Sequence, residues 1–374
     1  MLTYFVSYLV RFPVRLQTSR TWRLVGVVGC LLALATSGCQ QSAPERPSLF
    51  QRMDSADTGV QFTNQITETQ ALNVITFEYM YNGAGVGVGD VNDDGRPDLF
   101  FAANMGNSAL YLNEGDFQFR EITAEAGIDT EGKWANGVSM VDINHDGHLD
   151  IYVSVGGPYT DPERRTKELY VNQGDGTFAE RAAAYGLADT AHTTHTAFVD
   201  YDRDGDLDAY LLTSGFEEEG SNVVDPKKTE GEAVNTDRLY RNDDGVFTDV
   251  SEEAGIQIEG YGLGVTILDV NRDGWPDIYA ANDYVSNDLL YVNNQDGTFT
   301  DRAGSILRHQ SYAAMGTDAA DVNNDGWRDL VTLDMLPPTN ERLKRMYATV
   351  GESRSRSEQR TGYDPQGKRN PLQL

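Results

Sequence analysis

The sequence predicts an all-β protein of the β-propeller type, and three observations lead to that prediction. A nine-residue pattern, D-x-[DN]-x-D-G-x-x-D, occurs five times, and successive copies begin 52, 58, 69 and 52 residues apart. Short apolar runs flank each copy, as strands flank the turn of a hairpin. A second strand–turn–strand pattern follows each of the first four copies. Units of four strands at this spacing are typical of propeller blades.

The first hairpin of each unit carries the nine-residue pattern, here named loops 1 to 5 with positions 1 to 9. Oxygen-bearing side chains at positions 1, 3 and 5 converge when the chain curls. The glycine at position 6 permits the turn, and the aspartate at position 9 closes the cage. Carboxylate and amide oxygens select Ca²⁺ over transition metals, so we expect about five calcium sites.

Each predicted calcium site combines four side chains with one backbone carbonyl. The side chains are Asp90, Asn92, Asp94 and Asp98 in loop 1; Asp142, Asn144, Asp146 and Asp150 in loop 2; Asp200, Asp202, Asp204 and Asp208 in loop 3; Asp269, Asn271, Asp273 and Asp277 in loop 4; and Asp321, Asn323, Asp325 and Asp329 in loop 5. The expected carbonyls are those of Arg96, His148, Asp206, Trp275 and Arg328.

The loops have two alternatives to this kind of calcium site, a metal-free turn and an EF-hand. A turn rich in Asp and Asn can close through its own hydrogen bonds without a metal, and this alternative stays open. An EF-hand requires a bidentate glutamate at position 12 and flanking helices. That position holds Phe101, Val153, Leu211, Ala280 or Thr332, and the flanks read as strands, so the EF-hand is excluded.

The second hairpin of each unit begins with a Leu-Tyr pair, and two residues further on an asparagine enters an Asn/Asp/Gly turn. The four asparagines are Asn113, Asn172, Asn242 and Asn293. Such a turn between apolar runs predicts a further pair of strands. The propeller is therefore expected over residues 49–374, with repeats at about 80–130, 131–188, 189–257 and 258–308 and a partial repeat at 309–374.

These two motifs together resemble the FG-GAP/VCBS repeats of integrin α-subunit propellers and of bacterial relatives of cartilage acidic protein. The resemblance covers nearly the whole chain after about residue 49, and it implies calcium-stabilised blades without fixing an activity. Members of that family continue through further repeats, often to a C-terminal ASPIC/UnbV-type module. Residues 59–64 look like an outer strand that lacks preceding inner strands. We therefore expect a truncated member with about four full blades and a partial fifth in an incomplete ring.

The acidic composition of the chain limits the kinds of molecule that it can bind. Acidic residues number 58 against 30 basic residues, and the formal net charge is −28. Aspartates of the five loops contribute part of this acidity. Because nucleic acids bind basic patches, a nucleic-acid partner is excluded. Cys30 and Cys39 are the two cysteines of the sequence, so no disulfide framework is predicted.

The N-terminus has the pattern of a lipoprotein-type signal peptide over residues 1–38. An arginine-rich stretch precedes an apolar core at 24–36 that is short for a membrane span. The triplet Ser37-Gly38-Cys39 resembles a bacterial lipobox, which makes Cys39 the predicted lipidation site and 39–48 a tether. The predicted location is the bacterial cell envelope, as an outer-membrane or cell-surface lipoprotein held by its lipid anchor. A secreted protein is the alternative.

A run of alternating glycines and a pair of histidines indicate structural features and do not indicate binding sites. Glycines alternate at positions 83, 85, 87 and 89, and we expect them to share one strand face at the crowded propeller axis. His192 and His195 are three residues apart, so on a strand they would point to opposite faces and would not bind zinc together.

The function predicted from the sequence is a non-catalytic, surface-tethered scaffold that binds a protein or glycan ligand at the propeller rim. Loops on a rigid ring are suited to that role. The alternative is an extracellular enzyme, such as a polysaccharide-degrading hydrolase, on a calcium-stabilised propeller. The sequence contains no nucleophile elbow, H-E-x-x-H or P-loop motif, so no catalytic residue is predicted.

Overall fold

A computed structural model describes residues 50–215, 225–347, 357–367 and 371–373. The predicted signal peptide, Cys39 and the tether lie outside the described residues. The chain divides into two compact units, Met1–Met53 and Asp54–Leu374, and the fold below is that of the second unit. Within the described ranges, helices are all too short or too polar to cross a bilayer.

Four antiparallel sheets have the same topology, in which each strand pairs with the next strand in the chain. We call them blades 1 to 4, each running from an inner to an outer strand. Their strands are β1 (Val86–Gly89), β2 (Asp98–Phe101), β3 (Ala109–Gly115) and β4 (Gln118–Glu121); β5 (Ala135–Val141), β6 (Asp150–Val155), β7 (Glu168–Asn172) and β8 (Phe178–Glu180); β9 (Thr193–Val199), β10 (Asp208–Thr213), β11 (Arg238–Asp243) and β12 (Val246–Asp249); and β13 (Gly262–Leu268), β14 (Asp277–Asn282), β15 (Leu289–Asn293) and β16 (Phe299–Asp301).

The fifth sheet, blade 5, has three strands among the described residues. They are β17 (Ala314–Ala320), β18 (Asp329–Asp334) and the short β19 (Leu372–Gln373), which pairs with β18. The prediction of an all-β propeller built from four-stranded antiparallel blades is confirmed.

Packing between successive blades explains why the second strands of blades 2 to 4 are buried along their whole length. Every residue of β6, β10 and β14 is buried, as expected for strands covered on both faces. One core cluster joins blades 1 and 2 around Phe100 and Ile151, and another joins blades 3 and 4 around Tyr210 and Ile278. Further clusters join blades 2 and 3 and blades 4 and 5. The sheets therefore stack face to face, and hydrophobic burial holds each blade to its neighbours.

The inner strands β1, β5, β9, β13 and β17 contact one another in that order. A Cβ atom on Gly85 would lie 2.9 Å from the Val138 nitrogen and 3.0 Å from the Gly137 Cα. Gly85, Gly87 and Gly89 therefore share a strand face, as expected, but that face meets the neighbouring inner strand, so the expectation that it faces the axis is wrong; a Cβ on Gly83 would meet nothing within 4 Å among the described residues. Val86 and Val88 occupy the other face of β1 and are more than half exposed. Glycine is needed because the two backbones approach closely.

Short helices lie between the strands. The first, α1 (Ser55–Thr58), precedes blade 1, whereas α2 (Ala182–Tyr185), α3 (Ser251–Ala254) and α4 (Ala303–Ile306) connect one blade to the next, and a longer α5 (Asn340–Tyr347) follows β18. Gly59 ends α1 in a left-handed conformation with φ 77°, as Gly186 and Gly255 end α2 and α3. Residues 59–64 form no strand, so the expected outer strand there is wrong. The left-handed Gly59 ends the helix, and the chain continues from it without regular secondary structure.

Candidate metal loops and the axial pocket

All five predicted metal loops lie at one end of the sheets. Loops 1 to 5 join the first and second strands of blades 1 to 5, and the Asn/Gly turns join the third and fourth strands. Because neighbouring strands are antiparallel, both kinds of turn project from the same end, which we call the loop face. The predicted ligands thus form five separate candidate sites, one for each blade.

The carboxylate of the aspartate at position 9 accepts a hydrogen bond from the backbone of the asparagine in the second hairpin motif. In loop 2, the buried carboxylate of Asp150 accepts the N–H of Ile143 at 3.1 Å and the N–H of Asn172 at 2.7 Å. The equivalent two bonds occur in loops 1, 3 and 4. The Asn172 side chain also donates to the Val91 carbonyl of the preceding blade at 2.8 Å. Sequence reasoning found both motifs but missed that one orients the other.

Burial of these position 9 carboxylates raises their pKa. Burial, with a smaller contribution from the nearby acids of each loop, raises the pKa of Asp150 to about 6 and the pKa of Asp208 to about 7. Backbone N–H groups oppose the shift without cancelling it. A carboxylate in such surroundings gains stability from a nearby cation, because the cation favours its charged form.

Position 1 closes its own turn in loops 1, 2, 4 and 5. In loop 2, Asp142 accepts the N–H of Asp146 at 3.0 Å and the N–H of Gly147 at 2.9 Å. The same two bonds recur in the other three loops. These are the bonds of an Asp/Asn turn, so the geometry of these four loops is compatible with the metal-free alternative as well as with calcium.

Loop 3 has a different arrangement. Position 3 is Asp202, where the other loops have asparagine. One ligand oxygen from each of Asp200, Asp202 and Asp208 lies within 4.8 Å of the other two, and no other trio of acidic, His or Cys side chains in the described ranges does so. The Oδ1 atom of Asp200 is buried and has no hydrogen-bond partner among the residues that the structure describes. An all-oxygen set with one oxygen unused fits a hard divalent cation such as Ca²⁺.

The fifth predicted carbonyl needs a correction. The Trp327 N–H donates to Asp325 at 2.9 Å, just as the His148 N–H donates to Asp146 at 2.9 Å in loop 2. Trp327 therefore occupies position 7 of loop 5, and the assignment of Arg328 to that role was wrong because Arg328 stands at position 8.

The opposite end of the inner strands, which we call the opposite face, holds a cavity that sequence reasoning did not identify. This axial pocket has a volume of about 490 Å³ and is lined by residues from all five inner strands. A 3-10 helix (Glu78–Tyr81) and the preceding Phe77 border it with aromatic rings. Phe77 packs edge-on against the buried Trp134, with 5.3 Å between ring centroids. The alternating glycines marked the strands but not the cavity at their ends.

His192 and His195 both line the axial pocket. His192 precedes β9, so the strand alternation on which the expectation of opposite faces rested does not apply to it. Burial lowers the pKa of His192 to about 4 and also lowers the pKa of His195. Both rings are therefore neutral near pH 7. The Nδ1 atom of His192 lies 2.9 Å from the Gly157 carbonyl, which fixes its tautomer.

Comparison with known families agrees with this geometry. The family described as FG-GAP-like repeat matches residues 79–153, 160–211, 231–280 and 269–332, more than half of the chain. The chain belongs to the FG-GAP-like repeat family. Each matched segment ends at or near the second strand of a blade, so the FG-GAP repeat is built around the loop that this strand follows.

The FG-GAP propeller is similar to two kinds of curated relative. Human cartilage acidic protein 1 is 26% identical over 206 residues, which cover 54% of this chain and 28% of the human protein. Chicken integrin alpha-8 is 33% identical over 106 residues, which cover 25% of this chain and 10% of the integrin. The chain thus spans about a quarter of the cartilage protein that it matches. The crystal structure of the V. cholerae biofilm matrix protein Bap1 is 15% identical with a TM-score of 0.34, covers 67% of this chain and 34% of its own, and supports no functional argument.

Proposed function

We propose that this FG-GAP protein is a calcium-stabilised, non-catalytic scaffold, tethered to a bacterial cell surface, that binds a protein or glycan ligand. The observation that carries the calcium part is the convergence of Asp200, Asp202 and Asp208, of which Asp200 has a buried oxygen without a hydrogen-bond partner in the described ranges. These acids repel one another when they are charged, and a divalent cation would offset that repulsion. Loops 1, 2, 4 and 5 have the same oxygen spacing with one fewer carboxylate.

Calcium bound at the loops would stabilise the folded blades by linkage. A ligand that binds only the folded state adds stability, and several sites add together. Affinities of about 10⁻⁴ to 10⁻³ M are usual for extracellular modules. Loop ligands sit at the ends of the first two strands of a blade, so a bound ion would hold the hairpin that supports the interblade core.

Calorimetric titration of the metal-free mature chain with CaCl₂, with MgCl₂ in parallel, tests this proposal. We expect several calcium ions to bind with a marked preference over magnesium. The melting temperature should also rise by several degrees between excess chelator and millimolar calcium. Absence of binding heat together with identical melts in both buffers would reject the calcium part.

The surface that we propose for the ligand is the opposite face around the axial pocket. Aromatic rings and polar side chains border that pocket, a combination suited to sugar rings or to a peptide side chain. Tyr81 lines the pocket and is 60% exposed, so its replacement should leave the core intact. We expect Tyr81→Ala to weaken capture on a glycan array or by a surface-protein extract. Phe117→Ala, which removes an exposed ring from the loop face, should not.

The cell-surface part rests on the N-terminal sequence pattern and on Cys39 as the lipidated residue. The non-catalytic part is tested by incubating the calcium-loaded chain with polysaccharides. Release of reducing sugar that is lost in Asp200→Ala would favour the alternative, an extracellular hydrolase on a calcium-stabilised propeller.

A further inference from the structure

Position 4 of every loop has an unusual backbone conformation. The residue there is never glycine, yet its φ angle is positive in all five loops, between 57° and 65°, at Asp93, His145, Arg203, Arg272 and Asn324. Left-handed backbone is uncommon for side chains other than Asn and Asp, and it usually has a local reason. In loops 1 to 4, the side chain at this position points toward position 7 of the next loop.

Each of these four side chains approaches the residue at position 7 of the next loop. Asp93 Oδ2 lies 2.6 Å from His148 Nδ1, and His145 Nδ1 lies 3.7 Å from Asp206 Oδ1. The Arg203 guanidinium lies 5.2 Å from the centre of the Trp275 ring, and the guanidinium of Arg272 lies over the ring of Trp327. We call each such pair a loop clasp.

The four loop clasps join the same two loop positions by different side chains. An acid meets an imidazole in the first, an imidazole meets an acid in the second, and a guanidinium meets an indole in the third and fourth. No two side chains in any clasp carry charge of the same sign. Because different residue pairs bring the same two positions together, contact between successive loops is the feature that the four clasps share.

We propose that the loop clasps couple neighbouring calcium loops, so that occupancy of one loop favours occupancy of the next; this rests on the proposed calcium binding. Position 7 contributes a candidate carbonyl ligand, while its N–H donates to the carboxylate at position 5. An ion that draws this carbonyl inward also fixes the side chain that forms the clasp. The other residue of the clasp, at position 4, immediately precedes the candidate ligand at position 5 of its own loop. Fixing one side of the clasp therefore also restricts the second loop, so a second ion loses less conformational entropy when it binds there.

The first clasp permits a test that leaves every candidate ligand in place, because position 4 is not a ligand and position 7 offers only its backbone. The variants are Asp93→Ala, His148→Ala and the exchanged pair Asp93→His with His148→Asp, which imitates the second clasp. Asp116→Ala is the matched control. Asp116 is also an exposed acid in a left-handed turn of blade 1, and its side chain makes no hydrogen bond or ion pair within the described ranges.

Calcium binding is measured calorimetrically on each mature chain, with thermal melts in chelator as a second readout. We expect each single variant to lower the Hill coefficient and raise the half-saturating calcium concentration about two- to fivefold, the lower end of site coupling for exposed pairs. The exchanged pair should recover at least half of the loss, and Asp116→Ala should match the wild type.

Wild-type binding with single variants that match Asp116→Ala would overturn the coupling and leave the calcium proposal standing. Loss of coupling without recovery in the exchanged pair would also overturn it, since the loss would then come from the altered turn. If the wild type binds no calcium, the proposed function fails and the coupling fails with it. The melts in chelator separate a general loss of stability from a loss of communication between loops.

Discussion

The Tyr210 hydroxyl donates a 2.6 Å hydrogen bond to the Asp237 carboxylate, and both side chains are buried. Asp237 also accepts the N–H of Thr213 at 2.7 Å. These bonds join the end of β10 to the residue before β11. Tyr279 and Asp288 form the same link in blade 4 at 2.8 Å. A buried acid with neutral donors thus fixes the second strand against the third in two blades.

Replacement of Asp237 by asparagine should flatten the pH dependence of stability. Burial raises the pKa of Asp237 to about 7, above its ordinary value of 3.8. The folded state therefore holds a proton that the unfolded state releases, and this stabilisation is full below about pH 4 and is lost as the pH rises through 7. The total is at most about 4 kcal/mol. In Asp237→Asn, urea unfolding from pH 4 to 8 should show a smaller decline in the free energy of unfolding.

Other buried acids titrate in both proteins, so the informative quantity is the difference between wild type and variant. Asp243→Asn is the control, because this exposed acid pairs with Arg241 on the surface. Equal slopes in wild type, Asp237→Asn and Asp243→Asn would contradict the assignment.

Two aspartates at position 1, Asp269 and Asp200, should contribute to the melting temperature under different conditions, the first without calcium and the second with calcium. Asp269 accepts the N–H of Asp273 at 3.1 Å and the N–H of Gly274 at 2.9 Å, so Asp269→Ala should lower the melting temperature even in chelator. Asp200 Oδ1 has no partner, so Asp200→Ala should melt like the wild type in chelator and lose part of the calcium-dependent gain. Paired melts with chelator and with calcium decide this. Equal losses from Asp200→Ala in both buffers would show a purely structural role.

Gly157 should tolerate a methyl group far less than Gly132, although both have a φ of 81°. Alanine at either position costs about 1–2 kcal/mol for the left-handed backbone. A Cβ at Gly157 would overlap the buried Trp134 ring, whereas nothing lies within 4 Å at Gly132. Gly157→Ala should therefore cost about 1–3 kcal/mol more. Chemical denaturation of the two variants measures the difference, and equal midpoints would mean that Trp134 moves freely.

The buried Lys167 should be essential to blade 2 through its ion pair. Its Nζ lies 3.1 Å from Asp189, and the side chain has no exposed surface. Burial lowers the pKa of Lys167 to about 8, so the amine remains charged at neutral pH. Lys167→Met removes this partner but leaves the buried Asp189 with Arg238 at 3.4 Å, so the cost should lie below the about 3–5 kcal/mol of a fully unpaired buried charge and above about 1 kcal/mol. Arg345→Met, which breaks an exposed pair with Glu341, should cost less than about 1 kcal/mol in the same unfolding measurement.

Expression of the full chain in a bacterial host should place it in the membrane fraction, and Cys39→Ser should move it to the soluble fraction. Each buried methylene of an acyl chain contributes about 0.8 kcal/mol, so several chains hold a protein firmly. Detergent partitioning with an acyl-specific label is the measurement. Equal fractionation of the two proteins without label uptake would reject lipidation.

The spacing of the loops and of the Leu-Tyr pairs was sufficient to predict the propeller. Turn residues and apolar runs are local properties, and a strand that is covered on both faces is apolar throughout. The oxygen ligands were also predictable in kind, because their spacing within nine residues is fixed by the chain itself. Misassigning Arg328 was a one-residue error of register that the Trp327 N–H bond to Asp325 corrected.

Contacts between distant residues were decided by the tertiary structure. No local rule brings Asp93 to His148, Asn172 to Val91 or Tyr210 to Asp237, since these partners are tens of residues apart and meet only after blades stack and strands pair. The axial pocket has the same origin, because the inner strands of all five blades must converge to form it. The sequence by itself determined the blades and their loops, and packing decided which loops come into contact, because burial favours the stacked sheets as a whole.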